Sequence, residues 1–468
     1  MKSYRLKSCL LSLLFLIFCT NLYATDLLLK DRQTLITLGN SITEGGEYPE
    51  GYVSLLRKSL DVLYPERTIY IINVGISGHK ATDMSDRFER DVLQYRPDWL
   101  TISVGVNDVW HGFYDNHPKG DGPRGVPLNL FRQKLADMIT RAQTIGIKVA
   151  LFTTTIIKED LNSPENQKLL AYNQEIRKLA QRHQCLLVDM NQAFHNALKP
   201  VQKPGISDRG VLTNDGVHML PSGNWLMAKT VLQAFGVSQE RLELAKPLVE
   251  KMVSDEKALL AKNAARYQEI NYEVGAPCDG DQRVVFFGSS SVDRWNLSSD
   301  FPKIVFLNRG IGGENSRQMA LRFRQDVVNL KPTAVIIFLG SCNDFWPDNK
   351  MTTAETKSNL IKFARLAQGA NIKLAVGAVS PVNDYIPGKD LLASHPLDQV
   401  KALNEWIKAF CNQNGFEFID FYSAVADSSG KLDKALTDDG MHCNAAGYAR
   451  WKPLIDQALK DLAVVSEP

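Results

Sequence analysis

The sequence has little net charge, few cysteines and, past its first two dozen residues, no long apolar run. Its 54 Lys and Arg residues nearly balance 52 Asp and Glu, leaving a formal net charge of +2 over 468 residues. A charge that small gives no reason to expect nucleic acid or another polyanion as a partner. Of the 7 cysteines, Cys9 and Cys19 fall in the N-terminal segment. The others, Cys185, Cys278, Cys342, Cys411 and Cys443, are too sparse and of the wrong parity for a disulfide framework. None sits in a Cys-x-x-Cys pair or a Cys/His cluster of metal-ligand spacing, so no metal or other cofactor is expected. No later stretch approaches the ~20 apolar residues that span a bilayer, so stable membrane insertion of the mature chain is not expected.

The apolar run lies at the N-terminus, where Lys2, Arg5 and Lys7 precede CLLSLLFLIF and Leu22-Tyr23-Ala24 follows. This order of basic, apolar and small residues reads as a secretory signal peptide over 1–24, cleaved after Ala24, with the mature protein periplasmic or secreted. A membrane anchor is the competing reading, for which the run is short. A lipoprotein through Cys19 would want a small residue where Phe18 stands. With 44% hydrophobic and 23% charged residues, the rest has the makeup of a soluble folded protein, long enough for two domains.

Short apolar, β-branched runs alternate with longer amphipathic segments. In the first half the strand candidates span 34–39, 68–75, 99–105, 148–155 and 185–190, with helix candidates such as 51–63 and 129–146 between them. The second half repeats the order at 283–288, 303–310, 334–340, 373–380 and 416–421. Uninterrupted apolar strands separated by helices predict an α/β fold, a parallel sheet covered on both faces. Between the halves, 237–270 is charged, rich in helix formers and without strand signals. The expected organisation is a domain over 25–236, a helical linker over 237–280 and a second domain over 281–468.

The repeat extends to four short stretches. GNSIT (39–43) matches GSSS (288–291), NVGISG (73–78) matches NRGIGG (308–313), VGVND (104–108) matches GSCND (340–344), and TNDGVHM (213–219) matches TDDGMHC (437–443). The separation of matched residues falls from 249 (Ser41 to Ser290) to 224 (His218 to His442) along the chain, as insertions and deletions in surface loops would cause. Each stretch follows a strand, where open parallel sheets bind their ligands. A serine in such a turn is most simply an N-cap, but its hydroxyl also sits beside unpaired backbone N–H groups. A glycine lets backbone N–H approach a ligand closely, and an Asn amide brings two donors. Asp and His three apart can form a surface turn, a metal pair, or an imidazole with a carboxylate that fixes its tautomer. Each stretch alone favours the plainer reading. Two complete sets in the same strand order favour an activated serine: Ser41, with His218 as base, Asp215 as its orienter, and Gly78 and Asn107 as oxyanion donors.

Together these blocks resemble the SGNH, or GDSL-type, hydrolases, whose marks are a GDS-like serine turn, a glycine after the second strand, a G-x-N-D and a terminal D-x-x-H. The resemblance covers the chain beyond the signal segment apart from the linker. It implies two flavodoxin-like three-layer α/β/α domains, each with a parallel sheet of about five strands. It also implies hydrolysis of carboxylic esters through an acyl-enzyme, without a metal. Carried over residue by residue, the first site is Ser41, Gly78, Asn107, His218 and Asp215, and the second is Ser290, Gly313, Asn343, His442 and Asp439. The second copy is similar to the GSSS-x-x-x-W subgroup, through Ser289 to Trp295.

Some positions depart from that pattern. Asn40 and Ser289 stand where an acidic residue is usual, and Ser341 stands where the first copy has Gly105, which could shift the Asn343 backbone. Cys342 and Cys443 flank the second site, as two free thiols or as a disulfide. Neither copy has G-x-S-x-G, so the α/β-hydrolase elbow is not expected. The expected partner is a small-molecule or glycan ester. A carbohydrate O-acetyl ester comes first, because exported proteins of this family often deacetylate complex carbohydrates. Lysophospholipid, short-chain aryl ester or thioester hydrolysis are alternatives, as is a non-catalytic glycan-binding role for one copy. The segment 110–127 carries Trp110 and Tyr114, which could line a sugar-sized pocket or simply sit in a surface loop.

Overall fold

Each half of the chain folds around its own five-stranded parallel sheet in the computed structural model, which describes residues 27–274 and 282–464. The segment read as a signal peptide and Cys278 lie outside the described residues. Contacts divide the described residues into one compact unit up to Lys257 and another from Ala258 onward.

The first sheet contains β1 (Thr34–Leu38), β2 (Tyr70–Asn73), β3 (Trp99–Ser103), β4 (Lys148–Phe152) and β5 (Leu186–Val188), in the order β2-β1-β3-β4-β5. The second contains β6 (Arg283–Gly288), β7 (Val305–Gly310), β8 (Ala334–Phe338), β9 (Lys373–Gly377) and β10 (Glu417–Ile419). Its order, β10-β9-β8-β6-β7, is the same one read from the opposite edge. Both are the flavodoxin-like order, with every pairing parallel. All ten strand candidates are present. Several end earlier than their apolar pattern, because a residue such as Val104 stays buried after its ladder has finished.

The second unit shows why these strands are largely apolar. Every residue of β6 is buried, and successive side chains point to opposite faces. Val285 and Phe287 join Phe323, Phe363 and Ile407 in one core layer, while Val284 and Phe286 join Trp295, Trp451 and Ile455 in the other. Truncating either phenylalanine to Ala would cost ~3 to ~5 kcal/mol, so each face independently fixes the strand's register. In the first unit, helices 52–63, 190–198 and 221–234 pack together, as do helices 81–86, 128–144 and 164–182. Helix 164–182 starts where Ser163 accepts the Asn166 N–H and Pro164 takes the first helical position.

The charged stretch between the halves is helical, in one run over Gln239–Val274 that includes Pro247. Leu242, Ala245 and Val249 are buried in its first part and Tyr267 in its second, so the helix lends apolar contacts to both units. Among the described residues no helix is long and apolar enough to cross a membrane.

Candidate active sites

Strand order reverses between β2-β1 and β1-β3, and the crevice beyond the carboxyl ends of such strands is the natural ligand site of this topology. The turn after β1 enters helix 41–45, whose cap is Asn40: its Oδ1 accepts the Ile42 N–H at 3.0 Å. Asn40 is therefore a polar cap in the position the family gives to an acid. Ser41 becomes the first helical residue, so its N–H has no acceptor within the helix.

The terminal loop brings the imidazole. Thr213 and Met219 form an isolated antiparallel bridge that pinches TNDGVHM closed, with Gly216 at φ +96. Asp215 Oδ1 accepts the N–H of Val217 (2.9 Å) and of His218 (2.7 Å), leaving Oδ2 2.6 Å from His218 Nδ1. His218 Nε2 lies 2.8 Å from Ser41 Oγ. With Nδ1–H donated to the carboxylate, Nε2 is bare and can take the serine proton. Partial burial pushes the Asp215 carboxyl up, but the His218 ring and the loop N–H groups outweigh it and hold the group below the usual carboxylate range.

The second unit repeats this geometry closely. Asp439 accepts the N–H of Met441 (2.9 Å) and His442 (2.8 Å), lies 2.7 Å from His442 Nδ1, and His442 Nε2 is 2.8 Å from Ser290 Oγ. Burial again opposes, and the His442 bonds again prevail, with Asp439 held well below the usual range. One difference is a cation: Arg294 stands 3.6 Å from Asp439 Oδ2.

The glycines divide into two kinds. A Cβ on Gly75 would lie 2.2 Å from Glu44 N, and one on Gly310 would lie 2.1 Å from Asp293 N, so these two let the serine helix press against the end of the second strand. Gly78 (φ +79) and Gly313 (φ +85) have open space around them and are set by left-handed backbone instead. Asn107 Nδ2 donates to His79 O at 3.1 Å, and Asn343 Nδ2 to Glu314 O at 2.8 Å. In each case the amide is tied to the residue just after the left-handed glycine.

Ser341 does change the backbone, as its substitution for glycine suggested. Gly105 sits at φ +119 and opens helix 106–110, whereas the second copy places Gly340 (φ +64) and Cys342 (φ +69) on either side of Ser341 and begins a 3₁₀ turn at Asn343. The Asn side chain nonetheless reaches the same carbonyl by the other route. Cys342 and Cys443 are both free and buried, and burial pushes their thiols up, that of Cys443 to about 12.

Sequence reasoning missed three supports. Asp108, buried beside Asn107, accepts the N–H of Ala81 (2.9 Å) and Gly105 (3.1 Å) and so joins the glycine loop to the third strand. Burial, opposed by those bonds, pushes its carboxyl up to about 7. Asp344 likewise accepts the Ser316 N–H at 2.7 Å. Glu159, fully buried, accepts the N–H of Leu212 and Thr213, both at 2.7 Å, at the root of the histidine loop. Arg87 and Arg322 clamp the strand ends, and the repeated R-F-x-x-D, Arg87 to Asp91 and Arg322 to Asp326, was the signal that could have revealed them.

The segment 110–127 lies beside the first site. Trp110 meets His218 edge-on at 6.5 Å between centroids and Tyr114 at 5.6 Å, His111 stacks on Tyr114 at 5.0 Å, and Arg124 lies 4.7 Å over the Tyr114 ring. Among the described residues no cluster of His, Cys, Asp or Glu is placed to hold a metal ion.

Comparison with known proteins gives matches in both halves. The model of the GDSL-like Lipase/Acylhydrolase family matches residues 37–226 and 279–450. An acetylxylan esterase of Geobacillus stearothermophilus is 28% identical over 215 residues, which is 44% of this chain and 94% of that protein. Among solved structures, the acetyl xylan esterase AlAXEase shares 33% identity over 43% of this chain and 98% of its own, with a TM-score of 0.39. A GDSL-like lipase of Bacteroides thetaiotaomicron shares 29% over 42% of this chain and 97% of its own, also with a TM-score of 0.39.

Proposed function

This chain belongs to the GDSL-like lipase/acylhydrolase family and is an ester hydrolase; we propose that both copies are working serine sites and that they remove acetyl groups from carbohydrate. The observation that carries the reading is the unbroken Asp–His–Ser chain in each unit, 2.6 and 2.8 Å in the first and 2.7 and 2.8 Å in the second.

In this mechanism His218 takes the Ser41 proton as Oγ attacks the ester carbonyl, and Asp215 stabilises the imidazolium. The oxyanion is met by the Ser41 N–H, the Gly78 N–H and the Asn107 amide. Collapse expels the alcohol, which leaves with the proton from His218 and frees an acyl-serine. Water, deprotonated by His218, then attacks the acyl carbon and releases the acid and the serine. In the second copy Ser290, His442, Asp439, Gly313 and Asn343 take the same parts.

Two observations support an acetylated sugar. One curated relative, aligned over 94% of its own length, is an acetylxylan esterase. In addition, Trp110 stands beside His218 with Tyr114 against it, and aromatic rings of this kind give a sugar face an apolar surface. Export through the N-terminal segment would bring the enzyme to such polymers.

The test is turnover of p-nitrophenyl acetate and of acetylated xylan by Ser41→Ala, Ser290→Ala and the double variant. Each single variant keeps part of the activity and the double variant loses it. Activity surviving in the double variant refutes both nucleophiles, and complete loss in one single variant refutes the claim that both copies work.

A further inference from the structure

Both units contain the same buried guanidinium with one partner exchanged. Arg87 donates from Nη2 to Gly39 O (3.1 Å), two residues before Ser41, and from Nη1 to Val74 O (2.7 Å) and Asp91 (2.7 Å). Arg322 makes the same three bonds, to Gly288 O (3.1 Å), Arg309 O (3.0 Å) and Asp326 (3.0 Å). The remaining Nε–H goes to the side chain just after the left-handed glycine, which is His79 Nδ1 (3.1 Å) in one unit and Glu314 Oε2 (2.6 Å) in the other. The carbonyl of that same residue takes one amide hydrogen of Asn107 or Asn343.

We propose that His79 and Glu314, held by Arg87 and Arg322, are positioning residues that aim the Asn107 and Asn343 amides into the oxyanion hole. The inference rests on reading Ser41 and Ser290 as nucleophiles. An Asn amide with one hydrogen bonded to a fixed carbonyl has its other hydrogen in a determined direction, because the NH₂ group is planar with the amide. The carbonyl in question follows a glycine that imposes no steric limit of its own, so something else must hold it. A guanidinium with its donors in one rigid plane is suited to do so, since it grips the ends of two strands with the same fork.

The exchange of His for Glu shows what matters at this position. Imidazole and carboxylate differ in shape and charge and share a hydrogen-bond acceptor within reach of Nε–H. The first unit balances its arginine with Asp91, while the second adds Glu314 to Asp326. Charge pairing is therefore not the common factor, and the acceptor is. To accept from Arg87, His79 carries its proton on Nε2. Glu314 is steadied further by Asn263 of the long helix, whose Nδ2 lies 2.8 Å from Oε1.

The experiment uses the full chain with one site silenced. In a Ser290→Ala background, which reads the first site, His79→Leu lowers kcat for p-nitrophenyl acetate by about 10- to 10²-fold and leaves KM within about twofold, because the donor acts mainly in the transition state. His79→Glu recovers most of that loss by restoring the acceptor used in the second unit. In a Ser41→Ala background Glu314→Leu behaves like His79→Leu, and Glu314→Gln, which keeps an acceptor but no charge, recovers turnover. A kcat unaffected by both leucine variants overturns the inference. So does a glutamate or glutamine variant that melts like its parent yet is as slow as the leucine one. If Ser41→Ala/Ser290→Ala still turns over, the nucleophile reading has failed. If that variant is dead and the leucine variants are silent, only the positioning role has failed.

Discussion

Replacing Asp215 by Asn exchanges one oxygen for an NH₂ and leaves the loop its turn. Oδ1 can still accept the N–H groups of Val217 and His218, now at 2.9 and 2.7 Å. The atom 2.6 Å from His218 Nδ1 becomes a donor facing a donor. The least costly relief is for the ring to carry its proton on Nε2 and accept at Nδ1. Nε2–H then points at Ser41 Oγ, 2.8 Å away, and the base can no longer take the serine proton. The same substitution in a serine protease, where the aspartate is buried, lowers kcat about 10⁴-fold. Here the Asp215 side chain is 41% exposed and that of His218 is 37% exposed. Water can therefore solvate a misplaced ring, and the expected loss is ~10² to ~10⁴, or ~3 to ~5 kcal/mol at about 1.36 kcal/mol per decade. The assay is kcat for p-nitrophenyl acetate at neutral pH in the Ser290→Ala background, with melting temperature followed alongside. Turnover falls while the melting temperature holds. A kcat within about tenfold of the parent refutes the assignment of Asp215 as the group that sets the tautomer. The counterpart Asp439→Asn, read in the Ser41→Ala background, loses more, because His442 is only 13% exposed.

Asn107→Ala removes one oxyanion donor and lowers kcat by about 10²- to 10³-fold with little change in KM, which steady-state kinetics in the Ser290→Ala background will check. The two kinds of glycine separate by stability: Gly78→Ala costs ~1 kcal/mol for its left-handed backbone, whereas Gly75→Ala forces a Cβ to within 2.2 Å of Glu44 N and lowers the melting temperature further. Similar melting temperatures for the two would contradict this. Acid also acts through Asp215 and Asp439, whose folded-state carboxyls sit below their unfolded values. Their contribution to stability is full above the unfolded value of about 3.9 and is lost as pH falls through the folded one. Asp439→Asn should therefore flatten the decline in melting temperature below pH ~4. Asp108 has the opposite sign: its folded carboxyl is raised to about 7, so the stability it confers is full below its unfolded value and lost as pH rises through neutrality. Chemical denaturation of Asp108→Asn across that interval should show a shallower pH dependence than the parent.

The fold was readable because the central strands are buried on two faces and most helices on one. A run such as VVFF within RVVFFG, apolar at every position and short, has few other places to go than the middle of a covered sheet. Strand ends were less readable, since burial does not stop where the ladder does: Val104 is as apolar and as buried as Leu100 and Ile102, yet already belongs to the turn that presents Asn107. The long charged segment announced its helix, but not that it buries Leu242 and Val249 with one half and Tyr267 with the other.

The site was readable where chemistry demands a residue type and obscure where geometry can be met in several ways. Serine, histidine and aspartate have few substitutes in proton transfer, so their repetition at corresponding strand ends stood out. The supports beneath them are interchangeable: His79 does with Nδ1 what Glu314 does with Oε2, and Gly105 and Cys342 bring an Asn to the same carbonyl by different backbone routes. A search for identical letters passes over such pairs, although the atoms coincide. Arg87 and Arg322 were concealed differently, because a lone arginine in a helical stretch reads as solvent-facing until three of its hydrogen bonds are seen to end on carbonyls at the ends of two strands and on a buried aspartate. What the two copies share is thus a set of hydrogen-bond directions around the serine. A residue belongs to the site when it fixes one of those directions, whichever side chain it uses.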